Sequence, residues 1–210
     1  MTGRIYIDLF LTLDGVAQAP GGPDEDRESG FPFGGWQAPL IGEVDGRSVG
    51  EGIAAMDALV LGRKTYDIFA SYWPQHTGAD APIAQTFNRI PKYVASRHPL
   101  TLDWAGTSQL GPDAVADVVA LRDKHERIHV IGSIDFVQSL LAAGAYDELS
   151  LWVYPVVLGQ GKKLFPDGAA PATMTLLEPP LVSAQGAVLL RYGPAGEVRT
   201  GDMGADDRGL

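Results

Sequence analysis

Chemistry in this chain must be done without thiols, because its 210 residues include no cysteine and only four histidines. The passage best equipped for it is Asp57-Ala58-Leu59-Val60-Leu61-Gly62-Arg63-Lys64-Thr65-Tyr66. An apolar, strand-like run stops at a glycine, and a basic residue and a hydroxyl follow. Residues 67–73 continue at helical spacing until Pro74 closes the run. A glycine lets a ligand approach the backbone closely, and the free N–H groups of a helix start attract anions. Arg63 adds a planar donor suited to phosphate. A second joint of this kind follows Ile128-His129-Val130-Ile131, where Gly132-Ser133 ends a short strand and Ile134 opens a helix that stops at Gly144. Ser133 is suited both to cap that helix and to meet a ligand. Between the joints, the strand Ile90–Arg97 ends in Ser96 and Arg97, further donors for a phosphate dianion.

Carboxylates are the remaining reactive class. Asp14 sits in Leu13-Asp14-Gly15, a turn signal leading out of the first strand. Glu43 and Asp45 lie on an amphipathic stretch, and Asp135 lies in the first turn of the helix opened by Ile134, where an acid is an ordinary dipole partner. Asp8 is different in kind. The strand Arg4–Thr12 places Ile5, Ile7, Leu9 and Leu11 on one face and Tyr6, Asp8 and Phe10 on the other. Both faces are largely apolar, so a carboxylate there needs a partner or an opening.

The elements that position these residues follow from periodicity. Helices are expected over Pro39–Met56, 63–73, Pro82–Arg89, Pro112–Lys124 and from Ile134 to Gly144, and further strands over Tyr146–Pro155 and in a hairpin of Thr173–Ala184 with Ala187–Tyr192 around Gly186. Strands alternating with helices, closed by an antiparallel hairpin, predict a three-layer α/β/α domain with a mixed, mostly parallel sheet over residues 1–192. Residues 193–210 read as a disordered tail. The segment 18–36 is loop-rich, with Pro20, Gly21, Gly22 and Pro23, an acidic run, then Phe31, Phe33 and Trp36. Its glycines permit movement and its aromatics suit a lid over a flat ring.

Composition narrows the class. A chain that is 45% hydrophobic suits one globular domain with a sizeable core. The missing cysteines exclude disulfides, thiolate zinc sites and cysteine nucleophiles, and no metal site is expected. A net charge of −10 without a local basic patch argues against nucleic acid. The chain start lacks a signal-peptide layout and no apolar run reaches membrane-spanning length, so the expectation is a cytoplasmic protein without a membrane partner. The absence of Gly-x-Gly-x-x-Gly argues against a Rossmann dehydrogenase.

LVLGRKTY followed by YWP, KYVASR, and DELSLWVYPVVLGQGKKLF appear in this order. Together they resemble the dihydrofolate-reductase-like superfamily, especially its branch akin to the reductase domain of riboflavin biosynthesis, over Arg4 to Tyr192. The resemblance implies an NADPH-dependent reductase and assigns roles around the cofactor. Gly62, Arg63 and Thr65 would hold the 2′-phosphate and pyrophosphate, and Ser96 and Arg97 would form the second wall of the adenosine site. Gly132, Ser133 and Ile134 would lie over the pyrophosphate, although relatives often carry two adjacent glycines where this chain has Gly132-Ser133. Asp14 and the backbone of Val16 and Ala17 would lie beside the nicotinamide. One of Asp14, Asp45 and Asp135 would assist protonation. The implied substrate is a small molecule, the ribosylamino-pyrimidine of riboflavin synthesis first and pterins second. A non-catalytic nucleotide-binding protein is the rival of a different class. A homodimer through the sheet edge is also implied.

Overall fold

The computed structural model of the chain describes residues 2–78 and 81–202. The first strand, β1 (Arg4–Thr12), is its spine. After it come α1 (Glu43–Ala55), β2 (Ala58–Gly62), α2 (Arg63–Tyr72), α3 (Ala81–Arg89), β3 (Lys92–Ala95) and β4 (Thr107–Gln109). The second half contributes α4 (Ala114–Ala120), β5 (Arg127–Ile131), α5 (Ile134–Ala142), β6 (Glu148–Tyr154), β7 (Met174–Leu176), β8 (Leu181–Val182) and β9 (Val188–Pro194). The strands form one sheet in the order β4-β3-β2-β5-β1-β6-β9-β7, with β8 also paired to β9. From β4 to β6 every pairing is parallel, and the C-terminal strands are antiparallel.

Side-chain alternation sorts the two faces. Ile5, Ile7, Leu9 and Leu11 pack with Val60, Val130, Leu149 and Leu151 beneath Val118 of α4 and Val137 and Leu140 of α5. On the other face, Leu59, Leu61 and Val94 pack with Ile53 of α1, Tyr66 of α2 and Phe87 of α3. The architecture is therefore the expected three-layer α/β/α sandwich. Among the described residues, no helix is long and apolar enough to cross a membrane.

The bottom of the sheet is pinned by carboxylates that accept backbone N–H groups. Asp57, just before β2, accepts from Glu126 at 2.8 Å and Arg127 at 2.9 Å, fixing the starts of β2 and β5 relative to each other. Asp147 accepts from the Ile5 N–H at 2.7 Å and pairs with Arg122. Lys92 is fully buried, donates to the carbonyls of Phe87 and Ile90, and lies over the Trp104 ring. Burial pushes its ammonium down to about 8.

Several elements differ from expectation. The Pro39–Met56 helix starts only at Glu43, because Ile41 and Gly42 are extended and Pro39 belongs to a separate 3-10 turn. The Pro112–Lys124 helix begins at Ala114, capped by Asp113, and tightens into a 3-10 turn after Ala120. The long first arm of the hairpin divides into β7 and β8 around Pro179-Pro180, because proline has no N–H for the ladder. The three-residue β4 lies between Gly106 and Gly111 and carries too little pattern to be read from sequence. At the other end, β9 extends past Tyr192 to Pro194. Thr173 then bonds to Gly196 and Glu197, so the expected tail boundary at residue 193 falls inside paired structure. Residues 203–210 lie outside the described residues.

Replacing Asp57 with alanine leaves two strand-start N–H groups without their acceptor. Urea unfolding should show a loss of about 1–3 kcal/mol, since carboxylate bonds to N–H are charge-assisted; an unchanged midpoint would refute this anchoring role.

Candidate active site

The two strand–helix joints meet. Gly62 donates its N–H to Ser133 Oγ at 2.7 Å, and Ser133 in turn donates its own N–H to Thr65 Oγ1 at 3.0 Å. Ser133 is held in the left-handed region at φ 61° and makes no side-chain cap bond to α5, so its hydroxyl serves the neighbouring joint rather than its own helix. Gly132 also has positive φ, at 59°, and a Cβ there would sit 3.3 Å from Thr65 Cγ2. The starts of α2 and α5 are thus locked side by side around Gly62, Thr65, Gly132, Ser133 and Ile134. The first turn of α2 contains no acid, so its free N–H groups present partial positive charge.

Strand register brings the cations to the same edge. Gly62 pairs with Ala95, so Arg63 and the Ser96-Arg97 pair leave neighbouring strand ends. Arg63 is half-exposed and paired with Asp67 one turn along. Arg97 is exposed and has no ion pair among the described residues. The Ser96 hydroxyl closes a local turn, donating to His98 O at 2.8 Å and accepting its N–H at 3.1 Å.

The segment expected to be a mobile lid is clasped onto this edge. Lys162 bonds Asp26 at 2.8 Å and also Glu28, while Lys64 reaches the same two acids from the first turn of α2. Burial alone would raise the Asp26 carboxyl, but the bonds from Lys162 and the Glu28 N–H outweigh it and hold the group below its ordinary range. Lys162 bonds first, then Lys64, lower Glu28 in the same sense. Gln18 threads the loop, donating to Asp26 O and Glu28 O and accepting the Lys162 N–H, and the Trp36 indole donates to Gln18 O. Val16 bridges Lys163, and Ala17 donates to Lys162 O. Gly161 allows this contact: at φ 124°, a Cβ would lie 2.6 Å from Val16 and 2.8 Å from Phe31.

The candidate acids separate sharply. Asp14 accepts the Thr12 hydroxyl at 2.6 Å and the N–H groups of Leu158 and Gly159, and the Thr12 bond leads in holding its carboxyl below the ordinary range. Asp45 is wholly buried; one oxygen accepts the Gly42 N–H at 2.7 Å and the other the Tyr154 hydroxyl at 2.9 Å. Burial, with Asp45 adding, pushes the Tyr154 phenol far up. Asp135 lies exposed at the start of α5, which packs on the face opposite α1 and α2. The pairing that sequence reasoning did not find is Asp8 with His129. Their Oδ2 and Nδ1 atoms are 2.7 Å apart. Asp8 stood out as a carboxylate in an apolar strand, but nothing in Ile-His-Val-Ile marks His129 as its partner.

Because the folded-state carboxyls of Asp26 and Glu28 lie below their ordinary values, their clasp contributes fully above the ordinary carboxylate range and is lost as pH falls through the folded values. Hydrogen-exchange protection of the 18–36 amides should therefore fall selectively below about pH 4. At pH 8, Lys162→Met should speed tryptic cleavage after Arg27 by roughly tenfold, because opening is set by local stability. Unchanged protection in both experiments would exclude the ionic clasp as the fastening.

Comparison with known proteins fits this geometry. The RibD C-terminal domain family matches residues 4–185. The uncharacterized protein YyaP of Bacillus subtilis (strain 168) is 26% identical over 171 residues, spanning 78% of this chain and 81% of YyaP. A diaminohydroxyphosphoribosylaminopyrimidine deaminase/5-amino-6-(5-phosphoribosylamino)uracil reductase from Thermotoga maritima is similar at TM-score 0.61 and 13% identity. That likeness covers 92% of this chain and 57% of the other. A dihydrofolate reductase from Enterococcus faecalis complexed with NADP(H) is similar at TM-score 0.55 and 15% identity, covering 92% and 98%. The structural likenesses establish a dihydrofolate-reductase-like fold. The family match spans β1 through β8 and includes both stitched joints. By that match, the chain belongs to the RibD C-terminal domain family.

Proposed function

We propose that this protein is an NADPH-dependent reductase that transfers hydride to a small nitrogen heterocycle, with a ribosylamino-pyrimidine of riboflavin synthesis as the leading substrate class. The observation that carries the reading is the stitched pair of joints, with Arg63 and Arg97 leaving adjacent strand ends. Two guanidinium groups beside a helix N-terminus without a first-turn acid make a donor set that fits a ribose phosphate and a pyrophosphate. The residues present therefore fit NADPH: Arg63 and Arg97 would take the 2′-phosphate, with the start of α2 and the Gly132-Ser133 backbone beside the pyrophosphate. The bound dinucleotide would supply the hydride. The chain's own part is to hold it, orient the acceptor and exclude water, with the clasped 18–36 loop as the cover.

The burial of Asp45 beneath Tyr154 speaks against a dihydrofolate-type reading, in which an acid on α1 faces the substrate ring. A non-catalytic nucleotide-binding protein is the alternative from another class, and substrate turnover separates the two. We further infer a homodimer through the C-terminal sheet edge, where Leu176, Leu181 and Val182 on β7 and β8 are left 40–59% exposed.

Fluorescence titration should show tighter binding of NADPH than NADH, and Arg63→Ala should weaken NADPH at least tenfold while sparing NADH, since the mutation removes a charge-assisted phosphate contact. Equal or absent binding of both dinucleotides would sink the reading. Light scattering should give twice the chain mass, falling toward one chain mass in Leu181→Glu; a monomeric wild type would overturn the dimer.

A further inference from the structure

The clasp on the 18–36 loop lies across the sheet edge where the joints end. Lys64 follows β2 and Lys162 follows β6, and β5 and β1 lie between those two strands in the sheet. Asp26 and Glu28 each bond both lysines, so the loop bridges the C-terminal ends of β5 and β1. The Lys162 turn is itself fixed to the exit of β1, since Leu164 donates to Gly15 O and Ala17 to Lys162 O.

Two cations thus meet two carboxylates of the same chain, and the four charges cancel. The Asp26 side chain is 11% exposed and that of Lys162 26%, so these pairs are screened less than pairs in open water. Burial would lower the Lys162 ammonium, but the bonds to Asp26 and Glu28 outweigh it and hold the group above its ordinary range. The acids are placed by backbone bonds: Glu28 N–H donates to Asp26 Oδ1 at 3.0 Å, and Gln18 donates to both of their carbonyls. Of the other cations on this side, Arg27 pairs with Asp24 and Arg47 of α1 with Glu43. Lys163 is an exposed single ammonium without an ion pair among the described residues.

A phosphate dianion on this side would have to displace both carboxylates from the lysines. The carboxylates are tethered, so they compete at the high effective concentration of intramolecular groups. Once displaced, they would repel the dianion at close range. A neutral molecule incurs neither cost. The cofactor edge is the opposite case. Arg97 has no ion pair among the described residues, and the first turn of α2 carries no acid.

We propose that Asp26 and Glu28 are specificity-determining residues that restrict the acceptor to its phosphate-free form, a ribosylamino-pyrimidine nucleoside rather than the nucleotide. The chain supplies its own anions to Lys64 and Lys162, and phosphate recognition is confined to the cofactor edge. The proposal rests on the reductase reading in placing the acceptor beneath the 18–36 loop.

The test is calorimetric titration of the full chain, under nitrogen, with 5-amino-6-ribosylaminouracil and with its 5′-phosphate. Wild type should bind the unphosphorylated compound at least as tightly as the phosphate. In the double variant Asp26→Asn/Glu28→Gln the lysines lose their carboxylates, and the phosphate should bind at least tenfold more tightly than it does to wild type. A tenfold preference of wild type for the phosphate overturns the assignment. So does a failure of the unphosphorylated compound to bind at millimolar concentration, or a double variant that gains no affinity for the phosphate. If the double variant fails to fold, the wild-type comparison decides. An NADPH titration run in parallel keeps the readings apart. NADPH binding with a wild-type preference for the phosphate keeps the reductase and removes the restriction. The expected acceptor selectivity without NADPH binding removes the reductase and keeps the restriction.

Discussion

Two hydrogen bonds between successive strand–helix joints hold the site in shape. Gly62 N–H to Ser133 Oγ and Ser133 N–H to Thr65 Oγ1 tie the start of α2 to the start of α5, although these helices pack on opposite faces of the sheet. The tie keeps Ser133 in a left-handed backbone conformation that costs a non-glycine residue about 1 kcal/mol or more. Each bond contributes about that much in return. With the joints fixed, parallel register determines the rest: Gly62 opposite Ala95 sets Arg63 near Arg97, and Asp8 opposite Ile131 sets the carboxylate beside the joint.

Charge is distributed with the same economy. A chain of net charge −10 repels anionic ligands overall, so attraction has to be local. The acidic loop neutralises Lys64 and Lys162 by holding them in its own clasp, and α2 presents its N-terminus without an acid. Arg97 has no ion pair among the described residues and Arg63 has one exposed partner, Asp67, which is a weak competitor because exposed pairs are largely screened by water. Acids, loop and cations thus form one electrostatic unit, and the loop is fastened by Lys64 in the same first turn of α2 as Arg63.

The acids show how one residue type acquires different work. Asp57 and Asp147 align strands, Asp14 anchors a turn, and Asp45 closes a helix start beneath a buried tyrosine. Asp57, Asp14 and Asp45 have both oxygens engaged by N–H or hydroxyl donors, and Asp147 takes the Ile5 N–H and Arg122 on one oxygen. Asp8 differs because it lies within a central strand, is held by a buried histidine, and is still 35% exposed.

By itself the sequence determined the layers and their order. Period-two apolar runs, helical spacing and the glycines ending Leu59-Val60-Leu61 and His129-Val130-Ile131 are local properties, and local sterics and burial suffice to read them. The same signals located both joints and the cations that follow them. Tertiary structure decided what those residues touch. Ser133 reads locally as a helix cap and is instead bonded to a glycine 71 positions away. The glycine-rich 18–36 segment reads as mobile and is instead held by Lys162, 134 positions beyond Glu28. Asp45 reads as an acid on an amphipathic stretch and is sealed under Tyr154, and Asp8 finds His129 only because β1 and β5 are neighbours. Pairings of this kind depend on which strands lie side by side, and periodicity within one segment carries no information about that.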